Sequence, residues 1–369
     1  MFRSRKSLVF IAASIFGLAA SAICQTPTPK PKPDDEIIKV TSRLVVVPVS
    51  VTDAAGQAVT GLTTQDFRVA EEGKNQTIEK VGTADAVPLE IVVLFDVSAS
   101  TDTMFKFEQE TAAKFLKDVM KTNDRATVFT IGEKPILVQP RDTAERSAAA
   151  IQSITPTKGF TAFYDSVGAA AAYLRKNAPE GTRRVILVIS DGEDTNSDHI
   201  AKAIQDGYRK MGEKINTLDD KTRYNLTVTN RNNAAIAERI RVLQLLQNAD
   251  TVFYSINPGG SSFQLNKMSV FGQENMQKFA EDTGGTAFLP KFQPIDTKDN
   301  YQNTTNVRKN SEMLDLIFRQ LANELRSQYL IQYYSESDFP VNKYVKLDVG
   351  LPTRSSLHIR ARQGYYVKN

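Results

Sequence analysis

"LEIVVLFDVSASTDTMF", residues 89–105, sets an unbroken apolar run, Ile91 to Phe95, directly against Asp96, Ser98 and Ser100. Five apolar residues without alternation suit a strand that is buried on both faces, as in the middle of a parallel sheet. Oxygen-bearing side chains at alternate positions on its exit then fall where open parallel sheets collect ligands, at the carboxyl end of a strand.

The residues that follow support that sheet. "FKFEQETAAKFLKDVMK" places Phe107, Thr111, Phe115 and Val119 at intervals of four, with Leu116 and Met120 beside them, which is one apolar face of a helix. "DRATVFTIG", "RRVILVIS" and "DTVFYSIN" read as strands. "AERSAAAIQSI", "AFYDSVGAAAAYLRK" and "SEMLDLIFRQLANELRSQ" read as helices, and "NMQKFAEDTGGTAFLP" as helix, glycine turn and short strand. Strands alternating with helices predict an α/β fold, a Rossmann-like doubly wound and mostly parallel sheet, over residues 87–326. The polar stretch 206–248 is about twice the length of an ordinary crossover, with a helix expected from Ala234 to Asn248. It is either a surface elaboration or an arm for a partner.

Both flanks have strand character. Residues 38–86 carry β-branched runs separated by the turns "DAAGQ" and "EEGKN", and 327–369 return to alternation at Tyr344, Val345, Leu347 and Val349. Each flank alone has too few strands to bury both faces of a sheet. The economical arrangement is one small β-sandwich built from both flanks, with the α/β domain inserted in it. Two separate β-modules are the alternative.

The N-terminus has the three parts of a secretory signal peptide, residues 1–24: basic Arg3, Arg5 and Lys6, an apolar run from Leu8, and small residues Ala20-Ser21-Ala22. The apolar run, roughly 13 residues, is short of the roughly 20 that a spanning helix needs. A Pro-rich tether, 25–37, follows. The expected location is secreted or periplasmic, with no transmembrane segment after signal cleavage. The single cysteine, Cys24, has Ile23 where a lipoprotein box has a small residue, which argues against lipid anchoring. The formal charge of +4 drops to +1 without the three signal-peptide cations, so no basic field for nucleic acid is expected.

Three strand exits or pre-helix loops carry oxygen ligands: Asp96, Ser98 and Ser100 after the first strand, Thr161 in "KGFTAFYDS", and Asp191 in "SDGEDT". Carboxylates and hydroxyls without nitrogen or sulfur suit a hard divalent cation, Mg²⁺ first, with Mn²⁺ or Ca²⁺ as alternatives. Neutral hydroxyl ligands leave the ion much of its charge, which favours an anionic oxygen from outside.

"VVLFDVSAS", "GFTAFYDS" and "VILVISDGED", in this order and each tied to an apolar run, resemble the von Willebrand factor A (VWA) family and its metal-ion-dependent adhesion site. The flanks resemble exported VWA-related proteins of the acidobacterial type. The resemblance implies a divalent cation on Asp96, Ser98, Ser100, Thr161 and Asp191, and a protein or peptide partner that offers a carboxylate. The chain departs from the common pattern in Thr101-Asp102, which adds a carboxylate at the rim.

Plainer roles compete for several of these residues. Ser98 or Ser100 could cap the next helix, Asp165 reads as a helix-start residue, and Asp194 as an organiser of its own loop. The two histidines, His199 and His358, have no motif partner. No G-x-S-x-G elbow, P-loop or G-x-G-x-x-G occurs. The expectation is a binding protein and not an enzyme; a metal hydrolase would have to use Asp96 without an evident general base.

Overall fold

The computed structural model describes residues 43–98, 103–157, 159–258, 267–295 and 297–367. The expected signal peptide, the tether, Cys24, Ser100, Thr101 and Asp102 lie outside these residues.

The N-terminal flank supplies β1 (Arg43–Thr52), β2 (Arg68–Glu71), β3 (Lys74–Gln76) and β4 (Ile78–Thr83). The body begins with β5 (Leu89–Asp96) and α1 (Thr103–Val119), then β6 (Arg125–Ile131), β7 (Ile136–Asp142), α2 (Ala144–Gln152) and α3 (Phe163–Asn177). It continues with β8 (Arg183–Ile189), α4 (Asp198–Met211), α5 (Asp220–Asn248) and β9 (Thr251–Ile256). α6 (Lys267–Thr283), β10 (Ala287–Phe288) and α7 (Asn300–Ser327) close it. The C-terminal flank supplies β11 (Tyr329–Ser335), β12 (Tyr344–Gly350), β13 (His358–Ala361) and β14 (Gly364–Tyr366).

The body is a six-stranded sheet in the order β10-β9-β8-β5-β6-β7. All its pairings are parallel except β6 with β7. Every residue of β5 is buried, and its side chains divide between the two faces. Ile91, Val93 and Phe95 join Phe115 and Leu116 of α1 and Leu314, Phe318 and Leu321 of α7. Val92 and Leu94 join Phe163 and Val167 of α3, Val242 and Leu246 of α5, and Phe279 of α6. The apolar run of the sequence is therefore a central strand covered by helices on both sides.

The sheet also contains a strand that periodicity does not announce. β7 is half-exposed and contains Pro140, and its pairing with β6 shifts register twice. Arg141 anchors it by gripping the buried Glu90 of β5 through Nε and Nη2 at 2.6–2.9 Å. Edge strands tolerate proline and polar residues because one row of backbone groups faces outward.

The flanks form two four-stranded antiparallel sheets, β13-β1-β11-β4 and β14-β12-β2-β3, each mixing strands from both ends of the chain. One apolar cluster serves both, with Val45, Val47 and Val49 of β1, Val69 of β2, Ile331 and Tyr333 of β11, and Val345 and Leu347 of β12. Within it Glu71 is buried and accepts from Tyr333 Oη at 2.8 Å, Tyr365 Oη at 2.6 Å and Ser335 Oγ at 2.7 Å. Glu324 near the end of α7 binds these sheets to the body. It accepts from Ser50 Oγ at 3.1 Å, Tyr254 Oη at 3.2 Å and Arg360 Nη2 at 2.7 Å.

The 206–248 stretch is a helical hairpin: α4 runs through its start, a 3-10 segment spans Gly212–Thr217, and α5 takes the rest. α5 begins at Asp220, well before the expected Ala234, because Asp219 caps it by accepting from Thr222 N at 2.8 Å. Among the described residues, no helix is long and apolar enough to cross a membrane.

Candidate metal centre

Parallel strands deliver their exits to one edge, and β5 and β8 are neighbours there. Asp96 closes β5 and is buried. Its Oδ1 accepts from Ser98 N at 2.9 Å and Ser98 Oγ at 2.6 Å, and its Oδ2 accepts from Ser190 Oγ at 2.6 Å. Ser190, the residue after β8, in turn accepts from Gly192 N at 3.0 Å. Asp191 follows, with its Oδ1 accepting from Glu193 N at 2.9 Å.

Thr161 lies on the loop before α3 and is buried. Its N–H donates to Thr195 Oγ1 at 3.0 Å, and its carbonyl accepts from Thr195 N at 2.8 Å and Asn196 N at 3.0 Å. Thr157, earlier on the same loop, donates its N–H to the Val97 carbonyl at 2.6 Å. The three loops are thus stitched in pairs: first to third through Asp96 and Ser190, second to third through Thr161 and Thr195, first to second through Val97 and Thr157. Among the described residues the Thr161 hydroxyl has no hydrogen-bond partner.

A fourth segment closes on the Asp191 loop by backbone contact. Gly192 has φ +76°, and a Cβ there would sit 2.7 Å from the Gly272 carbonyl oxygen. A Cβ on Gly272 would in turn lie 2.5 Å from Gly192. Glycine at both positions lets α6 approach the loop this closely, and Ser269 of α6 donates to Glu193.

The electrostatics follow from burial. Asp96 is held above the ordinary carboxylate range by desolvation, which its bonds from Ser190 and Ser98 only partly offset. Asp191 is pushed up to about 7, by burial first and by the Asp96 charge second. No Lys, Arg or His forms an ion pair with either among the described residues. Two neighbouring, largely buried carboxylates favour protonation, and a bound cation would relieve the same strain.

Among the described residues no group of three or more His, Cys, Asp or Glu side chains is placed to hold a metal. The oxygens that these loops could offer are instead the carboxylates of Asp96 and Asp191 with the hydroxyls of Ser98 and Thr161. That all-oxygen set fits Mg²⁺, Mn²⁺ or Ca²⁺ and suits none of the softer metals.

Asp194 and Asp165 have structural work. Asp194 accepts from Tyr164 N at 2.9 Å, Ser197 N at 3.0 Å and Ser197 Oγ at 2.5 Å, which ties the starts of α3 and α4 together. Asp165 accepts from Asp198 N at 2.8 Å and faces Arg241 at 3.5 Å. His199 meets Glu238 of α5 at 2.5 Å, away from the carboxylate pair. Sequence reasoning missed Ser190, Thr157, Thr195 and Ser197. Ser190 alone left a signal, as a polar residue that ends an apolar run.

None of the curated proteins matches this chain in sequence. Among solved structures, a von Willebrand factor type A protein from Catenulispora acidiphila is 11% identical, over 89% of this chain and 74% of that one, with a TM-score of 0.42. Proximal thread matrix protein 1 from the mussel byssus is 12% identical, over 69% of this chain and half of its own length, at 0.39. BatB from Bacteroides thetaiotaomicron is 13% identical, over 61% of this chain and 98% of its own, at 0.32. At these scores the likenesses bear on neither site nor partner. Residues 91–193, which hold all three loops, match the family model of the von Willebrand factor type A domain.

Proposed function

We propose that this is an exported, non-enzymatic binding protein of the VWA type. Asp96, Ser98, Ser100, Thr161 and Asp191 would hold a divalent cation, and the ion would supply an electrophilic position for a carboxylate of a partner protein or peptide. In this reading residues 87–326 are the VWA domain, and the flanks, 38–86 and 327–369, are one β-sandwich that mounts it. The observation that carries the proposal is the coupling of Asp96 and Asp191, two carboxylates that form no ion pair among the described residues, on loops hydrogen-bonded to the one that holds Thr161, whose hydroxyl has no hydrogen-bond partner among those residues. The protein's own share of the chemistry is to keep these oxygens in place. The ring of loop-to-loop hydrogen bonds is suited to that task.

Asp96→Ala tests it. Wild-type protein should bind Mn²⁺ in calorimetry and melt at a higher temperature with Mg²⁺ than with EDTA, and the variant should do neither while keeping its circular dichroism. Capture of an acidic peptide should fail with EDTA and with the variant alike. Equal Mg²⁺ responses in the two proteins would refute the site. Metal binding combined with EDTA-insensitive capture would mean that the ion only stiffens the loops.

A further inference from the structure

α5 brings a buried cation to the back of the site. Arg231, near the middle of the inserted hairpin, is 3% exposed. Its Nε donates to the backbone carbonyl of Asp194, and its Nη1 donates to Asn232 Oδ1 at 3.3 Å. It forms no ion pair with a carboxylate among the described residues. A guanidinium taken out of water needs acceptors for its N–H groups, and the Asp194 carbonyl, three residues beyond Asp191, is one of them.

The helix that carries Arg231 is itself held at several points. Glu238, one turn past Ala234, is buried and gripped by Arg241 at 2.6 and 2.8 Å and by His199 at 2.5 Å. Val242 and Leu246 sit in the core of the body, and Gln247 is buried as well. From Arg231 to Gln247 the helix covers about 24 Å at 1.5 Å per residue. Arg231 therefore projects from a braced rod onto the loop that presents Asp191.

We propose that Arg231 is a positioning residue of the cation site: from the inserted hairpin it pins the loop that presents Asp191 through the Asp194 carbonyl. The hairpin is then a component of the site and not a surface elaboration. The choice of ligand rests on the metal reading above, whereas the pinning does not.

The test compares wild type, Arg231→Met and Arg231→Lys by Mn²⁺ calorimetry and by hydrogen exchange of the amides of Glu193, Thr195, Asn196 and Ser197. Loss of a charge-assisted hydrogen bond predicts about a 10- to 100-fold effect. Arg231→Met should weaken Mn²⁺ binding by that factor and speed exchange at those four amides, while amides of β5 and β8 exchange as in wild type. Arg231→Lys, which keeps a donor on a long side chain, should weaken Mn²⁺ binding less than Arg231→Met yet still exchange faster at Thr195 and Asn196, since an ammonium does not reproduce the planar guanidinium contact. Wild-type affinity and exchange in Arg231→Met would overturn the proposal. So would equal damage in both variants with a matching fall in metal-free melting temperature, the mark of a packing role only. Should Arg231→Met not fold, Arg231→Lys decides, and unaltered exchange at Thr195 and Asn196 overturns the pinning. A wild-type protein that takes up no Mn²⁺ refutes the metal reading instead, and leaves the exchange result to judge Arg231.

Discussion

Without metal, the stability of this protein should fall as pH rises from about 4 to 7, and Asp191→Asn should remove much of that fall. The sign comes from where the protons sit. Asp191 has an ordinary value of 3.8 and is pushed up to about 7 in the fold, chiefly by burial and then by Asp96. Between those values the folded chain holds a proton that the unfolded chain has released, so raising pH favours unfolding. At about 1.36 kcal/mol per pH unit the full span is worth about 4 kcal/mol, and partial solvent access at Asp191 lowers this to about 2–4 kcal/mol. Asp96 and Asp194 shift the same way and add to the slope. Carboxyls held low by their partners, such as Asp66, Asp142 and Asp315, lose their contribution only below about 4 and leave the window clean. Asparagine imitates the protonated acid at every pH. In EDTA at pH 8, Asp191→Asn should exceed wild type by about 2–4 kcal/mol, or about 3–6 °C in melting temperature for a chain of this size. In saturating Mg²⁺ the order should reverse, because the ion stabilises only the protein that retains the carboxylate. Thermal melts at pH 5, 6, 7 and 8, with EDTA and with Mg²⁺, decide the matter. If Asp191→Asn is no more stable than wild type in EDTA at pH 8, the carboxylate pair is not strained and the argument fails.

Two further substitutions probe the frame around the site. Gly272→Ala places a Cβ 2.5 Å from the Gly192 backbone, so it should cost about 1–3 kcal/mol and weaken Mn²⁺ binding; an unchanged melting temperature would mean that α6 yields freely. Glu71→Ala strands the hydroxyls of Tyr333, Tyr365 and Ser335 inside the flank sheets. It should cost about 3–5 kcal/mol and leave Mn²⁺ affinity unchanged, and a loss under 1 kcal/mol in denaturant melts would refute that reading.

The parts of this fold legible in the sequence are those whose environment is uniform along the segment. β5, β8 and β9 are buried on both faces, so their apolar runs announce them. β7 carries no such mark, since it is an edge strand whose anchor, Arg141 on Glu90, spans 51 positions of sequence. The first half of α5 was hidden for a different reason. "DKTRYNLTVTNRNN" is rich in Thr and Asn, which form helices weakly, and tertiary contact overrides that preference at Val228 and Arg231, both buried.

The same distinction runs through the site. Asp96, Ser98, Thr161 and Asp191 stood out because oxygen side chains at strand exits are chemically conspicuous, whereas Thr157, Thr195 and Arg231 act through backbone groups far away in sequence. Ser98 also shows why, in the proposed site, a hydroxyl suits the first loop where a further carboxylate would attract a cation more strongly. A hydroxyl donates one hydrogen bond and keeps two lone pairs. Ser98 can therefore go on donating to Asp96 at 2.6 Å while offering oxygen to an ion. An aspartate at position 98 would lose that donation and set another buried charge beside Asp96 and Asp191, which already repel each other strongly enough to help raise Asp191 to about 7. In the proposed site, serine would help to bind an ion without making the metal-free protein costlier to fold.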